Sequence, residues 1–168
     1  MEAIVATDIN GGISKNGAIP WISKIDMKHF TDKTKGNICV MGRNTYLSLP
    51  DKFRPLPNRL NVVITNMPHT SVLPNLVYTN IDNLYSKIVN AMTNDNLQNK
   101  PKLFIIGGKQ IYEQFISNCS IVWVTRIKKD YDCDLFFKYD FSEYLSEIVY
   151  EDEELIIQKL SKPLLDHS

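Results

Sequence analysis

The sequence predicts an α/β fold: a central, largely parallel β-sheet covered on both faces and closed by a C-terminal antiparallel hairpin. Three observations lead there. Apolar runs recur that are too continuous for strands with one wet face. Segments with helical spacing lie between them, and strand–helix alternation marks an α/β sheet. The last third then changes to two strand-like runs separated by a short acidic turn.

In chain order, the first strand is Ala3–Thr7. The segment DINGGISKNGAIPW, Asp8–Trp21, follows. It is rich in Gly and Asn but carries Ile13 and Ile19, which a plain surface loop does not need. A loop that folds down over a pocket does; the plainer alternative is a loop pinned by its own small apolar cluster. Ser23–Thr34 has helical spacing. Within PWISKIDMKHF, Pro20–Phe30, residues Ile22, Asp26 and Phe30 recur every four positions and share a face. A carboxylate therefore stands in an apolar row. Asp26 either reaches water at the edge of the row, caps the helix, or has a task, because an unpaired acid among apolar groups is costly. Pro20 and Ser23 are the better helix-start signals. Next come strand Ile38–Met41, helix Asn44–Leu49, strand Leu60–Thr65, helix Ile81–Met92, strand Leu103–Ile106, helix Lys109–Ile116 and strand Ile121–Ile127. Glu147–Glu151 and Leu155–Leu160 form the hairpin. One domain spans 1–160, and 161–168, with Pro163, is a frayed tail or the start of a linker.

Composition narrows the function classes. A chain of 168 residues with 43% hydrophobic and 23% charged residues buries a single core. Lys plus Arg equals Asp plus Glu at 19 each, so no global basic field exists to hold nucleic acid. No apolar run reaches membrane-spanning length, and the N-terminus MEAIVATD is too short and too acidic for a signal peptide. Cys39, Cys119 and Cys133 are an odd set without metal-ligand spacing, which points to a reducing, cytoplasmic setting and no metal site.

Two junctions carry chemistry. ICVMGRNTY and LFIIGGKQIY each read as a buried strand, a glycine and a helix start. Helix starts present free N–H groups and the positive end of the dipole to an anion, and glycine admits the anion close to the backbone. One such junction is often only a tight turn. Two could grip a pyrophosphate from both sides, with Arg43 adding a cation.

The blocks IVATDINGGISKNGAIPW, DMKHF, VMGRNTYLSLPDKFRPLPNR, FIIGGKQIYEQF and VTRIKKDYDCDLFF occur in the order seen in the dihydrofolate reductase family. The resemblance covers the chain to about Leu160. It implies a mainly parallel eight-stranded sheet with a C-terminal antiparallel hairpin and about four flanking helices. It also implies NADPH-dependent reduction of 7,8-dihydrofolate to tetrahydrofolate, which supplies one-carbon metabolism and thymidylate synthesis. By resemblance, Asp26 accepts paired hydrogen bonds from the pterin, Thr125 bonds that carboxylate, and Trp21 holds a bridging water. Ile4, Val5, Ala6, Met27, Phe30, Leu49, Leu56, Ile106 and Tyr112 line the folate pocket, and Arg59 grips the glutamate tail with a planar fork. Ala6, Ile13, Gly42, Arg43, Asn44, Thr45, Thr65, Asn66, Ile106, Gly107, Gly108, Lys109, Gln110, Ile111 and Tyr112 match cofactor positions, with a cis peptide at Gly107–Gly108. The family binds antifolate inhibitors, and some members are joined to thymidylate synthase.

The sequence departs from the family at several points. Gln110 and Asn66–Met67 stand where many members have a basic residue for the 2′-phosphate, which leaves Arg43 nearly alone. Asp134-Leu135 replaces an Asp-Thr pair, and Lys138 replaces a proline. Two other classes fit less well: a non-catalytic folate- or nucleotide-binding protein, and a pyrimidine reductase of riboflavin synthesis. Asp26 and Arg59 together favour a pterin with an acidic tail.

Overall fold

The computed structural model describes residues 1–67, 69–92 and 97–164. An eight-stranded sheet runs through the molecule in the order β5-β4-β3-β6-β1-β7-β10-β9. Its strands are β1 (Glu2–Thr7), β3 (Ile38–Gly42), β4 (Leu60–Ile64), β5 (Leu76–Thr79), β6 (Leu103–Gly107), β7 (Ile121–Ile127), β9 (Leu145–Glu151) and β10 (Leu155–Ser161). From β5 to β7 every pairing is parallel. Strand β10 runs antiparallel to both β7 and β9. A separate two-stranded ribbon pairs β2 (Gly12–Ser14) with β8 (Leu135–Phe136). Four helices flank the sheet: α1 (Lys24–Thr34), α2 (Arg43–Ser48), α3 (Leu84–Ala91) and α4 (Lys109–Phe115).

The continuous apolar runs have the expected cause. Cys39, Val40, Met41, Leu60, Val62 and Val63 of β3 and β4 are all fully buried, because both sheet faces are covered. Each such aliphatic side chain contributes about 1.5–3 kcal/mol relative to exposure. The edge strand β9 is exposed along its whole length. Glu147, Glu151 and a bulge opposite Ile157/Gln158 blunt that edge against further pairing.

Three expectations need correction. Ile22 is 92% exposed and does not face the core. Ser23 is the N-cap, its hydroxyl accepting from Asp26 N at 3.1 Å, so Ile22 lies outside the helix and off its row. Helix α3 begins at Leu84, not Ile81, because the Asn80 side chain accepts from Asn83 N and holds a turn there. Strand β10 extends to Ser161, one residue past the expected Leu160; 165–168 lie outside the described residues.

Asn61, fully buried, organises the chain before β4. It accepts from Leu56 N and donates to Leu56 O, Arg59 O and Asn75 O. Its side chain thereby ties the 56–59 loop to the segment before β5, which accounts for a polar residue inside an apolar strand.

Candidate active site

Parallel pairing brings the carboxyl ends of β1, β3 and β6 to one edge of the sheet, where open α/β sheets hold ligands. The register sets Ala6 opposite Thr125. Tyr112 of α4 is buried, and its hydroxyl donates to Ile4 O at 2.7 Å. Ile4, Val5 and Leu56 are buried, while Ala6, Phe30, Leu49 and Ile106 are half-buried. Met27 is 56% exposed and Ile19 is 62% exposed. Met27, expected in the pocket lining, and Ile19, expected to fold inward from its loop, are thus not packed against other side chains to the extent the core residues are.

Asp26 sits in the first turn of α1. Its carboxylate makes no ion pair and no hydrogen bond among the described residues. Burial holds its acid group above the ordinary carboxylate range, and the nearby Thr125 hydroxyl offsets part of that shift. That hydroxyl does not reach hydrogen-bonding geometry: Thr125 Oγ1 is buried without a partner, as is Trp21 Nε1. Burial, with the Asp26 charge nearby, also raises the Tyr112 phenol. The Asp26 carboxylate and the nearby Thr125 hydroxyl are therefore both left without partners, an arrangement that a ligand's donors would satisfy.

Arg59 lies beyond Phe30, its guanidinium carbon 5.9 Å from the ring centroid. It is only 5% exposed, yet it has no acidic partner among the described residues. Neutral groups fix it. Nε donates to Pro57 O at 2.9 Å, and one terminal nitrogen donates to Thr34 Oγ1 at 3.0 Å. Thr34 in turn donates to Phe30 O. Burial lowers the Arg59 pKa. A buried, unpaired, oriented guanidinium favours an incoming carboxylate.

The two glycine junctions adjoin, as β3 and β6 are neighbours. A Cβ on Gly42 would meet Ile111 at 3.3 Å and Gly108 N at 3.9 Å, and one on Gly108 would meet Thr45 Oγ1 at 3.2 Å. Gly107 has φ +115, and a Cβ there would press on the Tyr112 ring. The Gly107–Gly108 peptide is cis. These backbones form a cradle that side chains would fill, which fits a dinucleotide. Both helices starting there are short, at six and seven residues. Local N–H groups therefore matter more than a long dipole. Ile111 is buried, Thr45, Thr65 and Lys109 are half-buried, and Arg43, Asn44, Asn66 and Gln110 are exposed. Arg43 makes no ion pair among the described residues. Ile13 is buried against the main core, at 8% exposure.

Sequence reasoning missed two groups. Asp8 is fully buried between two loops; its signal was an Asp opening an Asn/Gly-rich turn. His29, one turn after Asp26, packs edge-on against Trp123 with 5.9 Å between ring centroids. Burial and the Lys33 charge push its pKa down to about 4, against a smaller opposing effect of Asp32. The unfolded chain thus binds a proton between pH 6.5 and about 4 that the folded chain refuses, so stability falls as pH drops through that window. His29→Phe is expected to remove this loss. Chemical denaturation at pH 7 and pH 4.5 should show the variant gaining on wild type at the lower pH.

The comparisons agree with this geometry. Residues 1–155 match the family model described as dihydrofolate reductase. A dihydrofolate reductase of Aedes albopictus is 31% identical over 163 residues, covering 90% of this chain and 85% of that protein. A bifunctional dihydrofolate reductase-thymidylate synthase of Paramecium tetraurelia is 36% identical over 135 residues, covering 79% of this chain and 27% of that protein. Among solved structures, a dihydrofolate reductase from Enterococcus faecalis complexed with NADP(H) and RAB-propyl superposes with TM-score 0.76 at 25% identity. It covers 97% of this chain and 96% of its own. Fold and site thus define an α/β protein with two adjoining strand–glycine–helix junctions and a half-buried, unpaired acid. The chain belongs to the dihydrofolate reductase family.

Proposed function

We infer that this protein reduces 7,8-dihydrofolate to 5,6,7,8-tetrahydrofolate with NADPH. One observation carries the reading: an unpaired half-buried carboxylate, Asp26, and a buried guanidinium without an acidic partner, Arg59, flank Phe30. A ligand with hydrogen-bond donors on a flat heterocycle and a carboxylate at its far end satisfies both. NADPH, when bound, supplies a hydride to the substrate's C=N carbon. The protein's share is placement and electrostatics.

Asp26 accepts paired hydrogen bonds from the pterin's amino group and ring N–H, which fixes the ring's orientation. Its low-dielectric setting strengthens that pairing. Thr125 and Trp21 complete the polar end, and the apolar walls from Ile4 to Leu56 exclude water. The proton required at the ring nitrogen comes from a water admitted near the lid, while Asp26 favours the reactive tautomer. Gly42, Gly107 and Gly108 let the dinucleotide approach the backbone. We place the reaction in the cytoplasm, in keeping with three free, buried thiols. Association with a thymidylate synthase is the further partnership that the bifunctional relative suggests.

The direct test is loss of NADPH absorbance with dihydrofolate present. Folded protein without turnover would overturn the reading. Turnover of a pyrimidine precursor of riboflavin in place of dihydrofolate would redirect it.

Cofactor choice gives a second test. Arg43 is the best-placed cation for a 2′-phosphate, whereas Gln110 and Asn66 are neutral. NADPH should be preferred over NADH by a smaller margin than two or three cations would give. A charge-assisted hydrogen bond contributes about 1.5–3 kcal/mol, so Arg43→Ala should remove most of the preference. Binding of both cofactors at several salt concentrations checks this, because an exposed phosphate contact weakens as salt rises. Equal weakening of both would assign Arg43 to the fold or the pyrophosphate.

A further inference from the structure

Asp8 follows β1 and is completely buried. One carboxylate oxygen, Oδ1, accepts from Asn10 N at 2.9 Å and Gly12 N at 2.8 Å. The other, Oδ2, accepts from Tyr131 N at 3.2 Å. The Cys133 thiol also lies against this carboxylate; burial and that neighbour push the thiol up to about 11. Asp8 makes no ion pair among the described residues. Burial alone would raise its own acid group, but the hydrogen bonds from Gly12, Tyr131, Asn10 and Cys133 hold it below the usual range.

The two sets of donors belong to different loops. Asn10 and Gly12 open the 8–20 segment, which the sequence reads as a lid, while Tyr131 and Cys133 belong to the loop after β7. Other contacts between these loops are closer to solvent, among them Asn16 N to Asp134 Oδ2 at 2.9 Å and the ion pair Lys15–Asp132 at 3.8 Å. Packing repeats the interlock. A Cβ on Gly12 would overlap Cys133 Cβ and lie 2.6 Å from its Sγ. Only a residue without a side chain lets the loops meet here. Ile13, the next residue, is thereby driven into the core.

We propose that Asp8 is a positioning residue for hydride transfer: its carboxylate, divided between two loops, clasps the lid against the facing loop and so sets Ile13 and the closed pocket wall. This rests on the reductase reading. The carboxylate suits the task because it has two acceptor oxygens and no donor. An amide has one acceptor, so Asp8→Asn can serve one loop only and must turn an NH₂ group toward the other loop's N–H.

The test is single-turnover hydride transfer in wild type and Asp8→Asn. Beside it go the Kd for dihydrofolate, the unfolding free energy, and amide exchange at Asn10, Gly12 and Tyr131. Asp8→Asn should slow transfer at least tenfold, change the dihydrofolate Kd less than twofold, and speed exchange in at least one loop. Unchanged transfer would overturn the proposal. So would transfer and dihydrofolate affinity falling together in step with global stability, which marks a merely structural residue. If Asp8→Asn does not fold, Gly12→Ala decides. It forces the loops apart with Asp8 intact, and should slow transfer unless Cys133→Gly is added to restore the space. Slow transfer without rescue counts against the clasp, as does no slowing. Wild type that turns over nothing would instead remove the reductase reading itself.

Discussion

Asp26→Asn is expected to leave the fold intact and to lower turnover on dihydrofolate at least about 100-fold, within the range that positioned acid–base groups command. The amide keeps the shape, but one of its two faces now donates. It meets the pterin's donors with a donor of its own, so the paired recognition fails. The empty protein should gain stability, because an unpaired, partly desolvated charge carries a penalty. The sign follows from the raised acid group. Between the unfolded carboxyl's pKa near 3.8 and the higher folded one, the folded state holds more protons. Stability therefore falls as pH rises through that window, and the penalty is complete above the folded pKa. Asp26→Asn should thus gain on wild type with rising pH in denaturant titrations. Near-normal single-turnover transfer in the variant would refute the assigned role.

Arg59→Leu is expected to weaken dihydrofolate by about 2–5 kcal/mol, as for truncating one member of a desolvated charge pair. A pterin fragment without the glutamate tail should bind nearly as before. Arg59 also holds Pro57 O and Thr34 Oγ1, so some loss of stability should accompany the change. Comparing the two ligands separates the effects. Equal weakening of tail-bearing and tail-less ligands would show that Arg59 acts by shaping its loop.

The central strands were legible because physics leaves few options for them. A run such as Ile121–Ile127, apolar at nearly every position, has no stable place except inside a sheet covered on both sides, and β7 occupies those residues. Strand β5 was not legible. It has four residues, two of them half-buried, and follows Pro74-Asn75, so its pattern resembles a loop. The β2–β8 ribbon was hidden for the same reason, as three residues and two carry no period. Ile22 shows a different limit. Spacing of four continues through a sequence whether or not the helix has begun, and only the cap fixes the boundary. For the site, the oddity of Asp26 was visible from spacing, but its use came from the resemblance. Arg59 was not visible at all from pattern, since its burial depends on Thr34, distant in sequence, and on a loop that Asn61 ties down. Asp8 looked like turn chemistry. Its second set of donors lies more than a hundred residues away, where no local signal reaches.

The place of β10 in the sheet has a consequence for how the protein is made. Thr125 is flanked on one side by Ala6, synthesised near the start, and on the other by Ile157. Until residues 155–161 have left the ribosome, β7 is a bare apolar edge and the wall behind the acid is missing. The nascent chain can assemble β1, β3, β4 and β6 early, yet the pterin pocket takes shape only with the last strand. A ligand of that pocket should therefore stabilise only chains in which β10 is in place, and a chaperone that shields strand edges would act in the interval before it.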